Sequence, residues 1–300
     1  MGLVAEPAFA SIPHAEILER ISSPYNGELT VVDSNGSRYL LASAIRGTLL
    51  QSSMSLSHKE ALTSDYLRIM ALMTGIHPKK DLNIFNLGLG GGNLPRFQLN
   101  TCKKCRIQSV EIDPTVIQIA KKYFNVTDPR HTILDGEGFR TLSARSEKFD
   151  VVWIDAALPK EGPRAYMKAE DLHSLRDHIS PAGIIVTHLG SPRSENSFKE
   201  VENGFKRYYS HGIRIRIPAQ DVTGTLAGLQ PTVTSKNLEG HSLPAGHSLP
   251  DHLIAVGNSP TLSCKRFWAF YRQWRHKGYG LQKWETHSQA KLAEHCEELI

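Results

Sequence analysis

From residue 82 onward the sequence predicts an α/β domain built on a doubly wound, mostly parallel sheet, with a small β-hairpin element ahead of it. Three observations carry this. Short apolar runs alternate with amphipathic segments, a rhythm that sets buried strands between covering helices. A glycine-rich turn, "GLGGGN", follows directly on the first of those runs and lets a ligand approach the backbone closely. The stretch before it alternates with period two around an Asn-Gly pair.

Residues 29–50, "LTVVDSNGSRYLLASAIRGTLL", read as two strands joined by "SNGS", because Asn-Gly accepts the positive φ of a tight turn. The strands of the main domain are "LNIFNLG", "RIQSVEID", "HTILD", "FDVVWIDA" and "GIIVTHLG", with "PTVIQIAKKYF" and "KAEDLHSLRDHI" as helices between them. After residue 210, "GIRIRIP" and "HLIAVGN" add two strands. The Pro/Gly-rich loop at 229–251 contains "GHSLP" twice and reads as a duplicated surface loop, since nothing fixes its histidines in metal-binding geometry. The aromatic and basic tail has two readings, a nucleic-acid or partner-binding helix and a helix packed on its parent domain. Aromatic residues at helical spacing favour the second. The expected division is a β element at 1–52, the main domain at 53–260 and the tail at 261–300.

With 300 residues, 40% hydrophobic and 22% charged, the chain can bury a full core. No stretch approaches the roughly 18–20 uninterrupted apolar residues of a membrane span. "MGLVAEPAFA" lacks the basic start and long apolar run of a signal peptide, and Glu6 stands where myristoylation wants Ser or Thr. A soluble, cytoplasmic protein without a membrane partner is expected. The net charge of +5 is spread along the chain and does not argue for nucleic acid. Cys102, Cys105, Cys264 and Cys296 are too few and too scattered for a disulfide framework, which suits a reducing compartment. "CKKC" has no second Cys or His pair at metal spacing, so it reads as a loop between helix and strand, and no metal site is expected.

Ligands of open α/β sheets bind at the carboxyl ends of the strands, so the informative residues stand just after the apolar runs. Gly88, Gly90 and Gly92 form a G-x-G-x-G turn after the first strand. Glu111 ends the second at the spacing where an acid accepts both hydroxyls of a ribose. The turn lacks the full G-x-G-x-x-G pattern, so no dedicated pyrophosphate cradle is expected. Asp135 ends the third strand, where an adenine amino group can be read, and Asp155 ends the fourth. Each acid taken singly is as readily a helix cap or turn former. Acids or glycines at four consecutive strand ends are harder to dismiss.

Together, "NLGLGGGNLPRF", "VEIDPTVIQIAKKYF", "DGEGF" and "FDVVWIDA" resemble the spermidine synthase family of polyamine aminopropyltransferases. That family is a branch of the Rossmann-like class I S-adenosylmethionine-dependent methyltransferase fold. The resemblance implies S-adenosylmethionine or its decarboxylated form as donor substrate, with no metal. It also implies an amine or polyamine acceptor, and a homodimer. Glu111 matches the ribose-binding acid, Asp135 with Gly136 the adenine site, and Gln51 a glutamine that contacts the donor. Tyr66 matches a tyrosine lining the acceptor pocket, and Asp155 matches the catalytic aspartate. Two positions depart from the family. Gly91 stands where an aspartate holds the donor amine, and Leu158 where a second aspartate anchors the acceptor diamine. A late tyrosine of the acceptor site has no counterpart near "IPAQDVTG".

Alkyl transfer from a sulfonium needs a neutral amine, so a carboxylate beside the amine can accept its proton. A diamine brings a second ammonium that Leu158 cannot pair, and Lys160 and Arg164 in the adjoining loop would repel it, with Glu161 compensating in part. Gly91 is expected to leave room for the carboxylate of intact S-adenosylmethionine. The first reading is aminopropyl transfer to a polyamine. The second is methyl transfer to an amine, including a protein lysine or N-terminus, and the "GLGGG.LP" form of the turn also resembles a lysine methyltransferase relative of the family. A non-catalytic nucleoside- or partner-binding descendant is the third.

Overall fold

The structure, a computed structural model, describes residues 15–44, 47–156, 169–190, 199–217, 251–277 and 295–299. Leu158, Lys160, Glu161, Arg164 and the repeated "GHSLP" loop lie outside the described residues.

The N-terminal element is larger than the expected hairpin. Strands β1 (Glu16–Ser23), β2 (Gly27–Ser34), β3 (Ser37–Ala44) and β4 (Gly47–Ser55) form an antiparallel sheet in sequence order. The Asn-Gly turn sits between β2 and β3, where Asn35 and Gly36 adopt φ of 48° and 72°. Strand β4 pairs antiparallel with β3, so "RYLLASAIRGTLL" contributes to two strands instead of one. Periodicity hid β1 and β4 because "EILERISS" and "GTLLQSSMS" mix polar and apolar residues and stay largely outside the core.

The main sheet contains β5 (Asn83–Leu87), β6 (Arg106–Glu111), β7 (His131–Asp135), β8 (Phe149–Ile154), β9 (Ile179–Gly190), β10 (His211–Ile217), β11 (Asp251–Gly257) and β12 (His295–Glu298). Their order is β12-β10-β11-β9-β8-β5-β6-β7, parallel from β7 to β9, with β11 antiparallel to both its neighbours. The chain runs outward from β5 to β7, then returns to place β8 on the other side of β5. That reversal opens a crevice beyond the carboxyl ends of β5 and β8.

Seven helices are described: α1 (Asp65–Ile76), α2 (Asn93–Thr101), α3 (Pro114–Tyr123), α4 (Gly138–Ser143), α5 (Ala169–Asp177), α6 (Lys199–Tyr208) and α7 (Cys264–Lys277). Strand β8, "FDVVWI", is buried along its whole length, and its side chains alternate between two cores. Val151 and Trp153 pack with α1, α2 and α7, where the Trp153 indole donates to Thr74 Oγ1 at 2.8 Å. Val152 and Ile154 pack with α4, α5 and α6. A third core joins β2, β3 and β4 to α3, through Leu29, Val31, Leu40 and Met54 against Val116, Ile119 and Phe124.

Helix α3 starts where the sequence sets Asp113 as cap and Pro114 as first residue, and ends in Lys121 and Lys122, which suit its negative pole. Asp113 is fully buried. Its side chain accepts from Thr115 N at 2.9 Å, from Asn26 Nδ2 at 2.5 Å and from the Ser23 hydroxyl. One carboxylate thus caps a helix and fixes the turn between β1 and β2 against the main sheet. The buried charge of Asp113 is thereby met by three donors.

The reading of the cysteines is corrected. Cys102 pairs with Cys105, and Cys264 with Cys296, the latter with Cα atoms 5.6 Å apart. Sequence separation misled because Cys264 and Cys296, 32 residues apart, are brought together by the pairing of β12 with β10 beside the start of α7. The "CKKC" stretch does form the loop between α2 and β6, with Lys103 and Lys104 exposed and Cys105 buried. The cysteines therefore lend no support to a reducing setting. Phe267 and Tyr271 of α7 are buried against the α1 side of the sheet. Among the described residues no helix is long and apolar enough to cross a membrane.

Candidate functional site

At the crevice beyond β5, β6 and β8 lies a cavity of about 450 Å³, closed on one side by β4. That is within the range of small-ligand sites. Backbone hydrogen bonds hold its floor: Gly88 N donates to Val110 O at 2.9 Å, Asp155 N to Leu87 O at 3.0 Å, and Gly136 N to Glu111 O at 3.0 Å. The ends of four strands, β5, β6, β7 and β8, are thereby tied together.

Of the residues singled out in the sequence, Gln51, Tyr66, Gly88, Gly90, Glu111, Gly136 and Asp155 line this cavity. Gly92 and Asp135 are not among the lining residues. Gly92 precedes α2 with its open side against Val126, and Asp135 is exposed at the tip of β7. The neighbouring Glu137 does line the cavity, but its carboxylate caps α4 by accepting from Phe139 N at 3.2 Å and Arg140 N at 2.7 Å.

Glu111 is held by backbone donors. Oε2 accepts from Leu89 N at 2.9 Å, and Oε1 from Asp113 N at 3.0 Å. Burial pushes its pKa above the ordinary 4.5, and the Leu89, Asp113 and Gly90 amides oppose that shift. At the other end, Asp155 follows β8 and accepts from the Tyr66 hydroxyl at 3.2 Å, while its second oxygen is 3.2 Å from His188 Nδ1. Tyr66 and His188 stack face to face, with ring centroids 3.9 Å apart.

The sequence reading missed several lining residues. Asn26 accepts from Gln51 Nε2 at 3.2 Å and so links that side chain to Asp113. Asn93 opens α2 and donates to Ser53 O at 2.6 Å. His188 stands two residues before the end of β9, one strand beyond the last strand end read for acids; extending the search to "GIIVTHLG" would have found it. The expectation of room at Gly91 is corrected: a Cβ there would lie 2.5 Å from Ser52 Oγ and 2.8 Å from Phe124 Cδ1. Side chains from β4 and α3 already occupy the direction in which an aspartate would project.

Glu111, Glu137 and Asp155 line the cavity, and among the described residues no lysine or arginine does. Its field favours a cationic ligand. Among the described residues no three His, Cys, Asp or Glu side chains gather as a metal site.

The strand order, the glycine turn after β5 and the crevice at the β5/β8 reversal define the class I methyltransferase fold, here with a four-stranded antiparallel sheet in front of it. The model of the Spermine/spermidine synthase domain matches residues 66–215, and the chain belongs to that family. Among relatives, a polyamine aminopropyltransferase of Vibrio vulnificus is 22% identical over 202 residues, covering 66% of this chain and 67% of that one. A Drosophila melanogaster homologue of the eEF1A lysine and N-terminal methyltransferase is 29% identical over 125 residues, covering 38% of this chain and only 19% of that protein. The structure of a probable spermidine synthase from Corynebacterium glutamicum superposes with a TM-score of 0.62 at 16% identity, over 93% of this chain and 96% of that one.

Proposed function

We propose that the chain transfers an alkyl group from an S-adenosylmethionine-type donor to an amine, the first reading being aminopropyl transfer to a polyamine. The observation that carries it is an acid-lined cavity that brings Glu111 and Asp155 together. In this reading Glu111 accepts the ribose hydroxyls, Gly88 and Gly90 admit the nucleoside, and the 136–138 turn borders the adenine. Gln51 faces the donor's alkyl end, and Tyr66 and Asp155 face the incoming nitrogen. Donor and acceptor are both cations, which a cavity with no lysine or arginine among its described lining residues admits at low electrostatic cost. Asp155 takes the amine's proton. The amine lone pair then forms the new N–C bond as the C–S bond breaks, and the sulfonium becomes a neutral thioether. Alignment in a pocket closed by β4 supplies much of the remaining acceleration.

A second reading, methyl transfer to an amine of a protein or small molecule, is favoured by two positions. Packing at Gly91 leaves no place for the aspartate that would clamp a donor amine, and Leu158 cannot anchor a distant ammonium. Calorimetric titration with both donors separates the two. Tighter binding of the decarboxylated donor supports aminopropyl transfer, and tighter binding of S-adenosylmethionine supports methylation. Binding of neither leaves the non-catalytic reading. Leu158→Asp should raise turnover of putrescine by about tenfold if only the anchor is missing, in line with one added charge pair. A homodimer belongs to the same proposal and would show as a doubled mass in light scattering.

The raised pKa of Glu111 gives a further expected result. The ionised form accepts both ribose hydroxyls and the protonated form does not, so donor affinity is full at high pH and falls as pH drops through a value above the ordinary 4.5. Calorimetry across the acidic range should show this loss. In Glu111→Gln the dependence should vanish, with affinity lower by about 10–100-fold throughout.

A further inference from the structure

His188 is absorbed by no role carried over from the family, yet it lines the cavity in direct contact with both Asp155 and Tyr66. Its Nδ1 lies 3.2 Å from one oxygen of Asp155, and Tyr66 donates to the other oxygen at the same distance. The two rings stack at 3.9 Å and within 9° of parallel, so one flat aromatic wall from α1 and β9 holds both oxygens of the carboxylate. The side chains of His188 and Asp155 are 18% and 27% exposed, enough for exchange with water at the cavity mouth.

We infer that Asp155 and His188 act as one proton acceptor in amine alkylation, with the imidazole holding the proton that leaves the amine. This rests on the reading above. Asp155 fixes the neutral imidazole with its hydrogen on Nδ1, so Nε2 is the basic nitrogen, and the carboxylate then stabilises the imidazolium. The magnitudes favour the pair over the aspartate alone. An alkyl ammonium of pKa about 10.4 yields its proton to an imidazole of about 6.5 far more readily than to a carboxylate of about 3.9. The step balances: the ammonium proton passes to the imidazole, the amine lone pair forms the N–C bond, and the C–S pair stays on sulfur. The imidazolium afterwards returns its proton to water. Beside Asp155 and Tyr66, the acids on the same cavity are Glu111 and Glu137, while β11 sets Leu253 opposite His188.

The test is the single-turnover rate at saturating donor and acceptor from about pH 5 to pH 9, for the wild type and for His188→Asn, which keeps a donor toward Asp155 but cannot hold a proton. The wild-type rate should rise and level off through the histidine range. In His188→Asn it should be about 100-fold lower at pH 7 and keep climbing with pH as free amine accumulates, with donor affinity within about threefold. A wild-type profile without a break in the histidine range overturns the inference, and so does a variant that keeps the wild-type profile. Where the variant fails to bind donor, the wild-type profile decides. Wild-type protein that turns over neither donor overturns the amine-alkylation reading itself, whatever His188 does.

Discussion

Asp155→Asn should lower turnover by about 100- to 10,000-fold while the donor dissociation constant stays within about threefold, the range that a lost general base produces. The asymmetry follows from position. Asp155 sits after β8, at the Tyr66 and His188 wall, whereas the donor's ribose is assigned to Glu111 on β6. Asparagine keeps the shape and one acceptor oxygen but loses the charge, so it can neither take the amine's proton nor stabilise an imidazolium at His188. Steady-state turnover and calorimetry on the same preparation check both halves. A variant with unchanged turnover removes the carboxylate from the mechanism, and one that loses donor binding instead makes it part of the donor site.

Gly88→Ala should damage stability and turnover together. Gly88 has φ of 93°, in the left-handed region that costs a residue with a Cβ about 1–2 kcal/mol. The added Cβ would lie 2.3 Å from Asp155 O and 3.3 Å from Ala156 Cα, both backbone atoms on the adjacent strand end. Neither can swing aside as a flexible side chain would, so β8 must move, and overpacking of this kind costs about 1–3 kcal/mol more. We expect a total destabilisation of about 2–5 kcal/mol in chemical denaturation. We also expect at least a 100-fold loss of turnover in the folded fraction, since a displacement of about 1 Å at a reacting group has that effect. The glycine is therefore required by the approach of β5 to the residue that faces the acceptor, as well as by any ligand above it.

Much of this architecture was legible because its signals are local. The apolar runs of β5 to β9, the Asn-Gly turn and the Asp113-Pro114 helix start each state their structure within a few residues. Glu111 and Asp155 were found because both stand where a buried strand ends. The misses have a different physics. Strands β1 and β4 are half-polar and are set by cross-strand pairing, and β12 is only "HCEE", with no periodicity to read. Asn26 comes from the turn after β1, and Asp113, 87 residues away, brings it to the cavity. Gly91 looked like empty space because a missing side chain in sequence says nothing about what fills its place; Ser52 and Phe124 do.

The smallest strand has a consequence of its own. An unpaired β10, "HGIRIRI", would offer a run of isoleucines and open amide groups to any other extended chain, a familiar route to intermolecular association. Instead β12 pairs with it over Ile213 to Arg216, tied to α7 through Cys296 and Cys264. What the sheet then shows on that flank is four residues long and carries Glu297 and Glu298, with Glu297 paired to Arg214. A short, acidic rim of this kind discourages pairing with further strands, and the Cys264–Cys296 disulfide ties it to the start of α7.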